Sequence, residues 1–203
     1  MTQPTTQPIT LAELAGRERT ACRLGDSALI MIDCQNTYTT GVMTLHGVGA
    51  ALDEAQKLLE RARRAGTPVI HIAHDSGPGT PYDVSAEIGQ IVSQVAPLEG
   101  EPTVVKNFPN AFAKTDLNDR LRALGKTNLI VAGFMTHMCV NSTVRAGFDL
   151  GYRTTVVANA TATRDLPRVG NGVIDAQSLH EASLSELSDL FAVVVESADD
   201  LLA

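Results

Sequence analysis

The chain has no tryptophan, only 4% aromatic residues and just three cysteines in 203 residues. Those cysteines, Cys22, Cys34 and Cys139, are odd in number and form no CxxC pair, which excludes a disulfide framework and fits a reducing compartment. No apolar run approaches the roughly 18 residues that a membrane helix needs. The opening MTQPTTQPIT is polar and lacks the basic-then-apolar order of a secretory signal, so a cytoplasmic location and no membrane partner are expected. No basic patch interrupts a net charge of −7, which argues against a nucleic-acid partner. The only glycine cluster that opens a helix, Gly47-Val48-Gly49, lacks a third glycine and does not follow a strand directly, so a dinucleotide fingerprint is weak. Internal repeats, low-complexity tracts and dividing linkers are absent as well.

What is present reads as one ordinary folding unit, with 44% hydrophobic and 19% charged residues. Residues 1–26 are expected to form an N-terminal arm with a short helical turn over Leu11–Ala15, and residues 27–203 a single domain. Apolar runs predict strands at 27–32 (SALIMI), 67–74 (TPVIHIAH), 103–105, from 128, 153–160 and 192–195. Helical spacing predicts helices over 47–65, 83–95, 116–124, from Cys139 to Gly151, and 175–190. Strands alternating with helices imply right-handed crossovers and a mainly parallel sheet of about six strands. The strands are apolar throughout rather than alternating, as strands covered on both faces should be. The fold class is α/β, a three-layer αβα sandwich of Rossmann-like type.

The stretch NLIVAGFMTHMCVNSTVRAGFDLGY (128–152) organises the rest. It delivers Cys139 after a strand and on the first turn of a helix, where the helix dipole is expected to favour the thiolate, the attacking form. The plainer reading is a small buried hydrophobe. Asp33 and Lys106 also fall just past predicted strand ends, the edge at which open parallel sheets bind ligands. Each alone has an ordinary explanation, a turn cap for Asp33 and a solvated charge for Lys106. Together they supply a proton acceptor, a cation and a nucleophile, the minimal set for acyl transfer through a thioester.

Four motifs then resemble the isochorismatase-like cysteine hydrolases, the superfamily of nicotinamidases, N-carbamoylsarcosine-type amidohydrolases and ureidoacrylate-type amidases. They are ALIMIDCQNTY (28–38), VVKNFPNAF (104–112), VAGFMTHMCVNSTVRAGFDLGY (131–152) and VVANATATRD (156–165), and the similarity spans about residues 27–197. The resemblance implies a hydrolase domain in which Cys139 is the nucleophile, Asp33 the general base and Lys106 its partner. It implies a cis peptide between Phe134 and Met135, and an oxyanion hole formed by the amides of Met135 and Cys139. Tyr38, Phe112, Gln35, Asn36, His74, Thr136 and His137 fall where substrate contacts are expected. The segments 75–81 and 164–172 are expected to shape the pocket mouth. A homodimer or homotetramer acting on a small-molecule substrate is expected by resemblance alone.

The sequence also departs from relatives. Nicotinamidases carry an Asp-x-His metal pair where this chain has Thr44 and His46, with His71 and His74 on and after the next strand. One histidine and a hydroxyl make a poor divalent site, so neither metal nor cofactor is expected. Without the tryptophan that many relatives stack on a flat ring, a small or aliphatic amide is favoured over a planar heteroaromatic one. The expected activity is metal-independent cleavage of a C–N bond in an amide or N-carbamoyl compound. Ether cleavage of the isochorismatase type and nicotinamidase-like chemistry stay open as alternatives, as does a non-catalytic interaction protein that keeps the fold.

Overall fold

Six apolar runs form one parallel sheet in the computed structural model, which describes residues 8–203. The first seven residues of the expected N-terminal arm lie outside that range. The strands are β1 (Ser27–Ile32), β2 (Val69–His74), β3 (Thr103–Lys106), β4 (Asn128–Phe134), β5 (Arg153–Ala162) and β8 (Val193–Val195). Their order is β3-β2-β1-β4-β5-β8. The chain first winds outward from β1 through β2 to β3. It then returns beside β1 and winds the other way from β4. The point of reversal, between β1 and β4, is where such sheets hold their ligands.

All six residues of β1 are buried, because both faces are covered. Leu29 and Met31 pack with Ile130, Ala132 and the apolar stripe of α2 (Val48–Arg64). Ala28, Ile30 and Ile32 point the opposite way, toward α3 (Leu117–Ala123), α4 (Asn141–Asp149) and α5 (Ala176–Leu190). The period-two alternation therefore sorts apolar side chains into two cores rather than a core and a solvent face. A short helix, α1 (Leu11–Leu14), precedes the sheet under a Thr10–Glu13 capping box. Among the described residues no helix is long and apolar enough to cross a membrane.

Two elements differ from expectation. Residues 83–95 are not a helix but two single 3₁₀ turns, Glu87–Gly89 and Ser93–Val95. Asp83 closes a tight loop instead, its carboxylate accepting from the amides of Gly79 and Ser85 and from the Ser85 hydroxyl. Gly89 packs so closely that an added Cβ would lie 2.2 Å from the Asp83 carbonyl oxygen. A small antiparallel pair, β6 (Leu166–Pro167) and β7 (Val173–Ile174), also carries no periodic signal in the sequence.

Four histidines, His71, His74, His137 and His180, are held below the ordinary imidazole value, chiefly by burial. A value lower in the folded state means that the unfolded chain binds more protons. The stability involved is therefore present above the unfolded imidazole value and lost as pH falls, for His74 down to about 4. Glu101, held at about 2 chiefly by its bond to Arg63, adds to the loss further down. Asp33, raised by burial, acts in the opposite sense, though Lys106 opposes that shift. The melting temperature should fall steadily between pH 7 and 4 in calorimetry; a constant value across that range would contradict this assignment.

Candidate active site

Asp33 follows β1, Lys106 ends β3 and Cys139 follows β4, and the fold draws all three together in the switch-point crevice. The Lys106 ammonium lies 2.6 Å from Asp33 Oδ2 and 3.3 Å from Cys139 Sγ. Asp33, Lys106 and Cys139 are 0%, 1% and 5% exposed, so the cluster is almost closed to solvent. Apart from the Lys106 ammonium, no protein donor among the described residues satisfies the carboxylate oxygens of Asp33. The contact is an ion pair that leaves lone pairs free to accept another proton.

Local backbone makes this approach possible. Asp33 has φ +48°, a left-handed conformation that aspartate tolerates better than most residues. Gly133, paired with Ile32 across β1 and β4, has φ +115°. A Cβ there would sit 1.9 Å from the Ile32 carbonyl oxygen, so only glycine lets β4 finish against the residue before Asp33. The Phe134–Met135 peptide is cis. A π-helical turn, Thr136–Val140, then carries Cys139 before α4 begins. Cys139 thus sits in this turn rather than on the first turn of the α-helix itself. The Met135 carbonyl accepts from the amides of Met138 and Val140, whereas no protein acceptor among the described residues takes the Met135 amide.

The electrostatics correct one expectation. The Cys139 thiol is pushed up to about 12, first by burial and then by the Asp33 charge, and Lys106 only partly offsets this. Asp33 is likewise raised by burial against the pull of Lys106. Cys139 is therefore held as a thiol beside a carboxylate of raised proton affinity, not as a free thiolate, because the site is too dry for the cation to win alone.

Several expected substrate contacts resolve otherwise. Gln35 is fully buried, and its amide is occupied by backbone: Nε2 donates to the carbonyls of His74 and Gly89, and Oε1 accepts from the His74 amide. Asn36 donates to the Glu87 carbonyl and pins the adjacent turn. Phe112 stacks on Tyr152 at 5.6 Å and lies over Gly147, toward the far end of α4 from Cys139. Thr136 is spent on His180 of α5, at 2.9 Å. These four residues hold the frame rather than reach the reacting centre.

Tyr38 does face the site. It is buried edge-on between Tyr82 and Phe134, and burial together with the Asp33 and Cys139 charges drives its hydroxyl far above the usual phenol value. His137 contacts the Thr163 hydroxyl at 2.5 Å, while its Nε2 is buried without a partner. Two residues escaped sequence reasoning. Tyr82 feels both Asp33 and Cys139, and the nearby Arg164 charge favours the ionised phenol of Tyr82 and the neutral imidazole of His137. The Arg164 Nε is buried and has no partner among the described residues. Both belong to the loops expected at the pocket mouth or adjoin them, and the tertiary fold brings Tyr82 to Cys139 and Arg164 to Tyr82 and His137. His46 and Thr44 are exposed, and His71 is bonded to Glu101 at 3.1 Å on the sheet's interior. Among the described residues no three His, Cys, Asp or Glu side chains are gathered as metal ligands.

The family model described as the Isochorismatase domain matches residues 27–199. An isochorismatase from Pseudomonas putida superposes with a TM-score of 0.92 at 39% identity, covering 97% of this chain and 100% of that one. A cysteine hydrolase from Pseudomonas syringae superposes at 0.80 with 26% identity, covering 96% of each chain. Among sequence relatives, the secreted isochorismatase effector Isc1 of Verticillium dahliae is 34% identical over 86% of this chain and 90% of its own length. The ureidoacrylate amidohydrolase RutB of Pseudomonas syringae is 30% identical over 68% of this chain and 71% of its own. With the doubly wound sheet and the site at its switch point, these matches make the chain an isochorismatase-family hydrolase.

Proposed function

We propose that the chain is a cysteine amidohydrolase that cleaves the C–N bond of a small amide or N-carbamoyl substrate through a thioester on Cys139. The observation that carries this reading is the buried ammonium of Lys106 held against both the Asp33 carboxylate and the Cys139 thiol. A protein that had kept only the fold would have no cause to bury two opposite charges beside a thiol.

In this mechanism Asp33 takes the thiol proton as Sγ attacks the substrate carbonyl carbon. The oxyanion is met by the amides of Met135 and Cys139, and one such donor is worth about 3–4 kcal/mol in the transition state. Asp33 returns the proton to the leaving nitrogen as the C–N bond breaks, releasing ammonia or an amine. Asp33 then deprotonates water for attack on the thioester, and the departing sulfur regains a proton. Lys106 balances the charge that alternates between carboxylate and sulfur, so none of these steps calls on a metal. Closure of the site around Cys139 supports a small substrate. The Arg164 guanidinium near Tyr82, bonded through Nη1 to the Asp165 carbonyl but with no partner for its Nε among the described residues, supports an anionic far end on that substrate, such as the carboxylate of an N-carbamoyl amino acid. Three free cysteines support action in the cytoplasm.

The test is ammonia release from primary amides and N-carbamoyl acids, with and without chelator, beside Cys139→Ala. Release that survives chelation and vanishes in the variant is the expected result. A Cys139→Ala protein that keeps most hydrolytic activity would point to ether cleavage instead.

A further inference from the structure

Lys106 has a third neighbour that the mechanism above does not use. Its ammonium lies 3.2 Å from His74 Nδ1, and the two residues are directly paired across β2 and β3. An ammonium donates three hydrogen bonds and accepts none. Around this one stand three acceptors, Asp33 Oδ2, Cys139 Sγ and His74 Nδ1, at 2.6, 3.3 and 3.2 Å. We propose that His74 is a positioning residue, whose neutral imidazole accepts the third proton of Lys106 and so keeps the ammonium aimed between Asp33 and Cys139. This rests on the reading of Asp33, Lys106 and Cys139 as the reacting set.

The ring is built for that task. Because the ammonium can only donate, Nδ1 must accept, and the ring proton falls on Nε2, which lies 3.1 Å from the Ser76 hydroxyl. Tyr82 packs edge-on at 5.0 Å, and Gln35 clamps the His74 backbone at both its amide and its carbonyl. Both ring nitrogens are engaged, so neither is left for the substrate contact that the sequence suggested. Burial and the Lys106 charge hold the imidazole neutral down to about pH 4. A hydrophobic side chain here would leave one N–H of a buried cation bare and free the ammonium to swing away from sulfur.

The experiment needs no substrate. Alkylation of Cys139 by iodoacetamide is followed from pH 5 to 9 by peptide mass, in the wild type, His74→Leu and His74→Asn, with urea melts to confirm folding. Asp33 and Lys106 face the sulfur, and Tyr38 and Tyr82 lie within reach of its charge, so the profile reports a coupled set. His74→Leu should lower the neutral-pH rate about tenfold, on the scale of an unsatisfied buried donor, and move the acid limb to higher pH. His74→Asn, whose Oδ1 restores an acceptor near Nδ1, should recover most of the rate. Once a substrate is in hand, kcat should fall with KM nearly unchanged.

An unaltered profile in folded His74→Leu would overturn the proposal. So would a raised KM with unchanged kcat, or an asparagine variant no better than leucine. Should His74→Leu fail to fold, Ser76→Ala carries the test, since it frees Nε2 and should shift the profile in the same direction; no shift there would count equally against it. The amidase reading fails separately, through activity that survives Cys139→Ala.

Discussion

Asp33→Asn should abolish turnover and weaken the fold, and adding Lys106→Met should restore the fold without restoring turnover. Loss of a general base removes about 10²–10⁴-fold of rate. Asparagine tolerates the left-handed backbone at this position, so geometry is retained. What changes is charge: the Lys106 and Asp33 side chains are both 0% exposed, and the single variant strands a buried ammonium. Breaking such a pair from one side costs about 3–5 kcal/mol, whereas replacing both partners with neutral groups is often close to neutral. Urea denaturation of the two single variants and the double variant closes the cycle. A double variant no more stable than Asp33→Asn would show that the pair is not coupled.

Gly133→Ala should be the most damaging single methyl in the protein. It combines a φ of +115° with a Cβ placed 1.9 Å from the Ile32 carbonyl oxygen, inside the β1–β4 pairing that sets Asp33 against Cys139. The nearest atoms all belong to the Ile32 backbone, so no flexible side chain can yield. A loss above about 4 kcal/mol, or failure to accumulate as soluble protein, is the expected result. Gly147→Ala is the internal control. There an added Cβ meets Phe112 at 3.5 Å and Leu129 at 3.8 Å, ordinary contact within α4, and the helix gains up to about 1 kcal/mol from the exchange. A Gly133→Ala protein that melts like the wild type would mean that the strands meet differently near the site.

The parts of this molecule legible in the sequence are those fixed by local pattern. The apolar runs at 27–32 and 128–134 read as doubly covered strands because every residue in them is at least partly hidden, and the six-stranded parallel sheet followed. Asp33, Lys106 and Cys139 could be named because each lies at or just past a strand end. The errors come from elsewhere. Residues 83–95 have helical spacing, yet Asp83 and Gly89 fold the chain back on itself by backbone contact that spacing does not register. Phe112 and Gln35 stand close in sequence to Lys106 and Asp33, but side-chain direction sends them away from the crevice. Tyr82 and Arg164 come into play only where two distant loops meet. The suppressed ionisation of the Cys139 thiol has no signature in the sequence, where a helix terminus and a cation are visible, because dryness belongs to the folded interior.

Gln35 has a meaning beyond its own bonds. One side-chain amide fastens the turn after β1 to the end of β2 and to Gly89, and so anchors both ends of the 75–89 loop independently of that loop's own side chains. The reacting groups and the surface that selects among substrates are thereby made separable inheritances. Residues between those anchors other than Ser76 and Tyr82, which brace the His74 ring, can change identity while the groups behind them keep their alignment. A single buried glutamine would let one catalytic frame be refitted to new substrates by loop mutation alone.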